Sequence, residues 1–172
     1  MEVFDCIKTR RSIRTYSGQP IDKTDINKII ETAVWAPSGK NGQPWKFKVI
    51  TDKGLIGQIS EMSTYGKWMK NAQCFICVFL NKKQSYDYVK DVQSCGAAIQ
   101  NIMLSAHSLG IGSCWIGEIL GKSGQVIELL KLDENNYSLM AIVTLGYNVS
   151  IGFNPGRKDI NNFLLEDGGN VE

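Results

Sequence analysis

The segment Cys74–Leu80 restricts the fold of this chain more than any other part of its sequence. Its seven residues, Cys-Phe-Ile-Cys-Val-Phe-Leu, are all apolar. The run is far shorter than the roughly 20 residues that cross a bilayer. It is typical of a strand that is buried on both faces. The sequence therefore predicts that this strand is central in its sheet and that other elements cover the sheet on both sides.

Helices and further strands are predicted around this strand. Apolar residues at helical spacing predict four helices besides a short one over Val3–Ile7 that ends near Thr9. These four cover 24–34, 55–62, 91–109 and 126–132. Asp22 or Thr24 can cap the first of them. Gly110 is the natural stop of the long third one. Strands are predicted at 45–49, near a sheet edge, and at 139–145, and a short strand or turn is predicted at 112–115.

The mixed order of these elements predicts an α+β sandwich of helices around one sheet. The length of 172 residues favours a single domain over residues 1–172. A doubly wound dinucleotide fold is disfavoured, because Gly110-Ile-Gly112 lacks a third glycine and follows a helix rather than a strand. The tail, 148–172, has no clear period and is expected to cross the surface or dock on a neighbour.

Composition excludes several classes of function. The 19 basic and 17 acidic residues create no general field that attracts nucleic acid or an acidic membrane. No segment is apolar for long enough to span a membrane, and the N-terminus lacks the features of a secretory signal. The odd number of cysteines in mostly apolar surroundings fits buried thiols in a reducing compartment. We therefore expect a soluble, cytoplasmic protein.

The segment Arg10-Arg11-Ser12-Ile13-Arg14 carries three guanidinium groups and a hydroxyl within five residues. In an extended backbone Arg10, Ser12 and Arg14 point to one side. Arginine offers a rigid fork of donors that matches phosphate oxygens. These residues predict a site for a phosphate monoester, and a solvated basic turn is the alternative.

A second segment, Pro37-Ser-Gly-Lys-Asn-Gly-Gln-Pro-Trp45, is a loop rich in glycine, amides and hydroxyls that leads directly into a strand. Such a loop can lie flat against a ring. Pro-Ser-Gly and Asn-Gly are also ordinary turn formers, so the loop alone does not identify a ligand.

Together the two segments resemble the flavin-dependent nitroreductase family. Its motifs follow in the same order over residues 1–160: the basic segment, the loop from Ala36 to Trp45, a central helix of small residues, and Gly112-Ser-Cys-Trp-Ile-Gly117. The resemblance implies a nitroreductase-like fold with a central mixed or antiparallel sheet flanked by helices, in an intertwined homodimer.

The resemblance also implies a binding site for FMN at the subunit interface. Arg10, Ser12 and Arg14 would bind the phosphate, with Arg11 beside the pyrimidine edge or the ribityl chain. Arg157 of the segment Pro155-Gly-Arg-Lys158 would return to the same phosphate, with Lys158 beside it. The partner subunit would close over the flavin with Pro37, Ser38, Gly39 and Asn41. Ile116 and Gly117 would face the reactive ring nitrogen with their backbone amides, and Trp115, which adjoins this site, is either a cofactor contact or a core residue.

The implied activity is hydride transfer from NADH or NADPH through FMN to a small acceptor, such as a nitroaromatic compound or a quinone, by a ping-pong mechanism. No protein side chain stores two electrons, so the cofactor carries this chemistry and no catalytic side chain is predicted. Reductive dehalogenation or flavin fragmentation with the same fold and cofactor are alternatives. A non-catalytic flavin-binding module is another.

The sequence departs from larger family members at two places. An Asn and a Lys often touch the pyrimidine edge before the central strand, whereas this chain has Tyr65 and Trp68 there. The helical excursion that often covers the flavin is reduced to about 82–90, where Tyr86 and Tyr88 are expected to act as a small lid. Which residues complete that edge stays open.

The remaining candidates have structural explanations. Cys74 and Cys77 would point to opposite faces of a strand, so we expect no metal site there. His107, the only histidine, lies on the predicted long helix, where packing or hydrogen bonding is favoured over catalysis.

Overall fold

A computed structural model describes residues 1–149 and 155–165. The helices are α1 (Val3–Thr9), α2 (Lys23–Ala33), α3 (Lys53–Glu61), α4 (Gly66–Met69), α5 (Tyr88–Ser108) and α6 (Ser123–Leu129). The strands are β1 (Trp45–Ile50), β2 (Cys74–Asn81), β3 (Gly112–Ile116) and β4 (Tyr137–Gly146). Single 3₁₀ turns lie at Gly39–Asn41, Glu118–Lys122 and Ile160–Asn162.

The four strands form one antiparallel sheet in the order β1-β2-β4-β3. The prediction that Cys74–Leu80 is a central strand is confirmed, because β2 lies between β1 and β4 and all seven residues are buried. The prediction that 45–49 lies at an edge is confirmed as well. Within β1, however, Val49 is exposed and Ile50 is buried, so the alternation predicted from the sequence does not extend to its end.

Helices cover both faces of the sheet. On one face α2 and α5 pack against Cys74, Ile76, Val78 and Leu80 of β2. On the other face α3, α4 and α6 cover Phe75, Cys77 and Phe79. Cys74 and Cys77 therefore point to opposite faces, as predicted, and two separate cores result.

The predicted helices are present with shifted ends. Asp22 occupies the N-cap of α2, although its side chain makes no capping hydrogen bond. α5 begins at Tyr88 rather than 91, because the Asp87 carboxylate accepts the amide of Lys90 and caps the helix earlier. α6 ends at Leu129 rather than 132, since Lys131 has a φ of 54°. Gly110, with a φ of 75°, follows the end of α5 as predicted.

Within residues 1–149 and 155–165, no helix has both the length and the apolarity needed to cross a membrane. Part of the predicted irregular tail, 150–154 and 166–172, lies outside the described residues. The described part of the tail exposes Ile160, Phe163, Leu164 and Leu165.

Candidate functional site

The arginine segment, residues 10–14, lies along the free edge of β3. Ser12 forms a parallel bridge with Ser113, and the amide of Ile13 donates to the carbonyl of Ser113 at 2.9 Å. Ile13 is buried against Gly112, where a Cβ would come within 2.9 Å of the isoleucine side chain. Because Ile13 faces inward, the extended segment turns Arg10, Ser12 and Arg14 to the other side, as the alternation predicts.

These side chains line a cavity of about 240 Å³ together with Arg11, Pro155 and Arg157. The structure thus brings the segment from the tail back to the start of the chain. The pKa of Arg10 is lowered by burial and by the positive charges of Arg157 and Arg11. Lys158 is exposed and does not line the cavity. A small cavity whose walls carry four guanidinium groups and a hydroxyl favours a compact anion.

The guanidinium groups differ in how they are held. Arg11 donates from Nη1 to the carbonyls of Lys8 and Arg10, at 2.6 and 2.7 Å, which directs it to the C-terminal end of α1. Arg14 is exposed, and its Nη1 lies 3.5 Å from the carbonyl of Ser12. The Cys114 thiol is buried under the segment, and burial raises its pKa while the Arg14 charge and a hydrogen bond with Ser12 lower it. The Ser12 hydroxyl and the partly buried Arg10 guanidinium therefore lie near the Cys114 thiol, which stays uncharged.

Backbone groups of β3 point out of the sheet next to the cavity. The carbonyl of Ser113 is directed away from β4, toward Ile13. Because backbone groups alternate along a strand, Trp115 directs its amide to the same open side, and the amide of Ile116 points to β4. Gly117 follows as the next residue on the open side. The alternation thus favours the amides of Trp115 and Gly117 over that of Ile116 as donors to a ligand.

Trp115 lies on the α5 face of β3, with 40% of its surface exposed. Its ring approaches the position where Gly96 of α5 would carry a Cβ, at 3.8 Å. The ring also lines a cavity of about 450 Å³ with Tyr88, Leu120 and Met140. A large aromatic side chain is therefore presented beside the outward amides, next to open space.

The loop at residues 37–43 has an unusual backbone. Lys40, Asn41 and Gln43 have φ values of 55°, 54° and 47°, in the left-handed region that residues other than glycine rarely occupy. The Ser38 hydroxyl accepts the amide of Gln43 at 3.0 Å, and the Ser38 carbonyl accepts the amide of Asn41 at 3.0 Å. Such strain persists only where surrounding contacts impose it, and it concentrates at functional sites.

The arginine segment and the 37–43 loop lie far apart within one chain. The loop leads into Trp45 at the start of β1, whereas Ser12 pairs with β3 at the opposite edge of the sheet. The two edges are about 14 Å apart across the strands, and Trp45 and Ser113 are about 20 Å apart along them. The two parts of the predicted site thus occupy diagonally opposite corners of the sheet, with its core between them.

Two acidic side chains that accept hydrogen bonds near the site, Glu118 and Asp91, were not predicted from the sequence. The carboxylate of Glu118, directly after Gly117, accepts the Ser63 hydroxyl at 2.7 Å and the Thr64 amide at 3.1 Å. These hydrogen bonds lower the pKa of Glu118. Asp91 is buried in the first turn of α5. An acidic residue at a helix start or after a strand is too common to identify such anchors from the sequence.

Tyr65 and Trp68 form an aromatic cluster with Tyr16. Trp68 lies 6.1 Å from Tyr65 and 6.4 Å from Tyr16, measured between ring centroids. Tyr16 donates to the carbonyl of Ile13 at 2.8 Å, which connects this cluster to the arginine segment. Tyr16 is the member of the cluster that sequence reasoning missed.

Tyr86 and Tyr88, predicted as a lid, separate in the structure. Tyr86 contacts Gly39 of the 37–43 loop, and Tyr88 lines the cavity beside Trp115. Only Tyr88 therefore lies next to Trp115, while Tyr86 supports the other edge of the sheet.

His107 has a structural environment. Its Nε2 lies 2.8 Å from the Thr9 hydroxyl, which itself donates to the carbonyl of Asp5. Burial and then the charges of Arg10 and Arg11 lower its pKa. All five cysteines are free and buried. Over the part of the chain that the structure describes, no group of three His, Cys, Asp or Glu residues is arranged to hold a metal ion.

Comparison with known proteins identifies the family. The model of the nitroreductase family matches residues 7–65 and 57–147. A candidate NADH dehydrogenase/NAD(P)H nitroreductase of Archaeoglobus fulgidus is 42% identical over 149 residues, which are 85% of each chain. This chain belongs to the nitroreductase family. The resemblance inferred from the motifs is thereby confirmed.

Two further relatives bear on fold and ligand. The crystal structure of a candidate nitroreductase of Desulfovibrio desulfuricans, in complex with FMN, is 35% identical, with a TM-score of 0.93 over 97% of both chains. The FMN reductase [NAD(P)H] of Bacillus subtilis is 28% identical over 160 residues, 83% of this chain and 64% of that protein. The predicted α+β, nitroreductase-like fold is confirmed, and its sheet is antiparallel.

Proposed function

We propose that this protein is a homodimeric, FMN-dependent oxidoreductase that uses NADH or NADPH to reduce a small acceptor such as a nitroaromatic compound or a quinone. One observation carries the proposal. The chain builds a small cavity from four arginines and a serine, and it lowers the pKa of Arg10 there by burial and by like charges. Desolvated, mutually repelling cations are costly without an anion, so a phosphate group satisfies this site.

The donor set fits the terminal phosphate of FMN. Arg10, Ser12 and Arg14 would bind it from one side, and Arg157 from the tail. The FMN-bound relative from Desulfovibrio desulfuricans and the FMN reductase of Bacillus subtilis support the same cofactor. When bound, FMN supplies the two-electron chemistry that links a nicotinamide to an acceptor, which side chains cannot supply.

The residues beside the cavity would orient the flavin ring. The amides of Trp115 and Gly117, on the open side of β3, can donate to a ring nitrogen without introducing a base that competes for protons. The Trp115 side chain stands next to these amides and is exposed enough to contact the ring or an acceptor stacked on it. Arg11, held at the end of α1, places positive charge near the ring, where it would stabilise an anionic reduced form.

The position of the 37–43 loop supports a homodimer. Within one chain the loop and the arginine segment occupy opposite corners of the sheet, so both can contact one flavin when a second copy supplies the loop. Phe4, Trp35 and Leu165, which are between 73% and 86% exposed in the single chain, are apolar side chains that a second copy would cover. We infer that Pro37, Ser38, Gly39 and Asn41 cover the flavin of the partner subunit. The five free, buried thiols favour a cytoplasmic location.

The test is the visible spectrum of the purified protein, followed by turnover. We expect a yellow protein that releases FMN, and steady oxidation of NADH or NADPH with a quinone or nitroaromatic acceptor under anaerobic conditions. Initial rates at varied donor and acceptor should give the parallel lines of a ping-pong mechanism. An iodinated phenol among the acceptors distinguishes a reductive dehalogenase. A colourless protein that does not take up added FMN would contradict the proposal.

A further inference from the structure

Asp91 stands out because its carboxylate is 1% exposed and makes no ion pair within the described residues. Its Oδ2 accepts three donors from the preceding turn: the Ser85 hydroxyl at 2.7 Å, the Tyr86 amide at 3.0 Å and the Asp87 amide at 3.3 Å. Its Oδ1 is buried without a hydrogen bond in this part of the chain. Burying a half-satisfied carboxylate costs free energy, so stability alone does not explain its presence.

The turn that Asp91 fixes carries Tyr86, and the side chain of Tyr86 reaches the 37–43 loop. Its hydroxyl occupies the space that a Cβ on Gly39 would need. Its ring also lies beneath the Lys40 ammonium, 4.9 Å from the ring centroid. Tyr86 therefore packs against the loop at Gly39 and Lys40, where the backbone enters the left-handed region.

This support matters because the loop is strained. Non-glycine residues in the left-handed region cost conformational free energy, and such a backbone relaxes unless its surroundings prevent it. The internal hydrogen bonds from Asn41 and Gln43 to Ser38 fix the shape of the loop, yet they do not fix its position relative to α5. The contact from Tyr86 to Gly39 connects that position to the buried Asp91.

We propose that Asp91 and Tyr86 are positioning residues that set the 37–43 loop for its contact with the partner subunit's flavin. The inference rests on the function proposed above. Asp91 fixes the turn through its Oδ2, and the turn fixes the position of Tyr86. Tyr86 can pack against Gly39 because glycine has no side chain. Loss of either positioning residue lets the loop relax, and FMN is then covered less well although the arginine segment is intact.

The first experiment measures two quantities on the holoprotein, FMN release and hydrogen exchange of the amides in 38–44. Tyr86→Ala and Asp91→Asn should each speed FMN release roughly threefold to tenfold, because the relaxed loop covers the flavin less closely while the arginine segment stays intact. Both should also speed exchange in 38–44. Asp52→Ala is the matched control, because it removes the equivalent N-cap of α3 beyond the far end of β1 from the loop: it should lower Tm and leave FMN release unchanged.

If Asp91 has a purely structural role, Asp91→Asn will speed hydrogen exchange in 85–91 alone, and that result would overturn the proposal. Unchanged FMN release in both Tyr86→Ala and Asp91→Asn would overturn it as well. The exchange readout does not depend on flavin, so it still decides whether Asp91 and the loop are coupled if the wild-type protein binds no FMN. That last outcome would instead reject the proposed function.

A double-mutant cycle isolates the contact between Tyr86 and Gly39. Gly39→Ala should speed FMN release because the new methyl group displaces the tyrosine. Adding Tyr86→Ala removes that conflict, so the double variant should release FMN more slowly than the product of the two single effects predicts. Strictly multiplicative effects would show that the methyl group acts directly on the flavin and would contradict the proposed contact.

Discussion

The arginine segment and the 37–43 loop are assigned to the same ligand, yet they are built in opposite ways. The segment concentrates positive charge and partly buries it, so that burial and then the charges of Arg157 and Arg11 lower the pKa of Arg10. The loop presents a strained backbone that is held in place by hydrogen bonds and by Tyr86. In the proposed site, charge would therefore supply affinity at one edge of the sheet, and the shape of the loop would cover the ligand at the other.

This difference separates the two regions experimentally. Binding through exposed or partly exposed charges weakens as salt screens them, whereas a backbone shape is indifferent to ionic strength. The two regions also differ in what a second subunit must contribute to a complete ligand site. The arginine segment completes its own cavity with Arg157 of the same chain, while the cavity of about 550 Å³ beside the loop is lined by one cation, Lys46.

The largest expected effect is at the arginine segment. Arg10→Ala/Arg14→Ala should weaken FMN binding by about 3–6 kcal/mol, and Arg14→Ala alone by about 1.5–3 kcal/mol, because each removes a charge-assisted hydrogen bond. Fluorescence titration at two salt concentrations measures the loss. Lys23→Ala/Lys48→Ala, which removes the same charge from exposed positions, is the control. Equal losses in the two double variants would show that net charge, and not the cavity, binds the ligand.

A smaller effect is expected at the loop. Ser38→Ala removes the acceptor of the Gln43 amide and should weaken FMN binding by about 0.5–1.5 kcal/mol, the value of one neutral hydrogen bond. The loss should be the same at low and high salt. Ser108→Ala, which removes an exposed hydroxyl bond at the end of α5, is the control. A strongly salt-dependent loss in Ser38→Ala would remove the contrast between the two regions.

The single histidine reports on the charge of the arginine segment. The pKa of His107 is lowered by burial and then by Arg10 and Arg11. A bound phosphate would offset the arginine charges, so FMN should raise the pKa of His107 toward its ordinary value. Since the lowered pKa disfavours protonation in the folded state, stability falls as pH drops below about 6.5 in the free protein, and FMN should reduce that loss.

NMR titration of the one imidazole, with and without FMN, checks this prediction. The Arg10→Ala/Arg14→Ala variant serves as the control, because it should show no change when FMN is added. An unchanged His107 pKa in FMN-loaded wild-type protein would place the phosphate away from the arginine segment.

The smallest expected effect is on the rate of reduction. His107→Ala and Cys114→Ser should each keep the rate within about tenfold, or ~1.4 kcal/mol of barrier, because neither residue is assigned a chemical step. Stopped-flow reduction by NADH or NADPH measures this. A thousandfold loss in either variant, with FMN still bound, would assign chemistry to a side chain beside the arginine segment.

The sequence predicts much of the fold and part of the site. The apolar run at 74–80 and the helical spacings carry enough local information to predict β2 and most helices. Motif order places the arginine segment and the loop in a known family. The start of α5 and the end of α6 were missed, because they depend on capping by Asp87 and on the backbone of Lys131.

The supports of the site are not visible in the sequence. Asp91, Tyr86 and Gly39 meet only because β2, the following turn and the loop pack together. Glu118 acquires its partners in the same way, from a loop more than fifty residues earlier. Long-range contacts of this kind have no local pattern, so single-sequence reasoning cannot find them.

The central claim is that one flavin site combines the arginine segment of one subunit with the 37–43 loop of the other. A mixed dimer tests it most directly, prepared by co-expressing Arg10→Ala/Arg14→Ala with Gly39→Val under two different affinity tags. In each subunit of this dimer one part of the site is defective, but one shared site contains an intact segment and an intact loop. The mixed dimer should bind one FMN, at a concentration where neither variant homodimer binds any. A mixed dimer without FMN would show that both parts act within the same chain and would rule out a site shared between subunits.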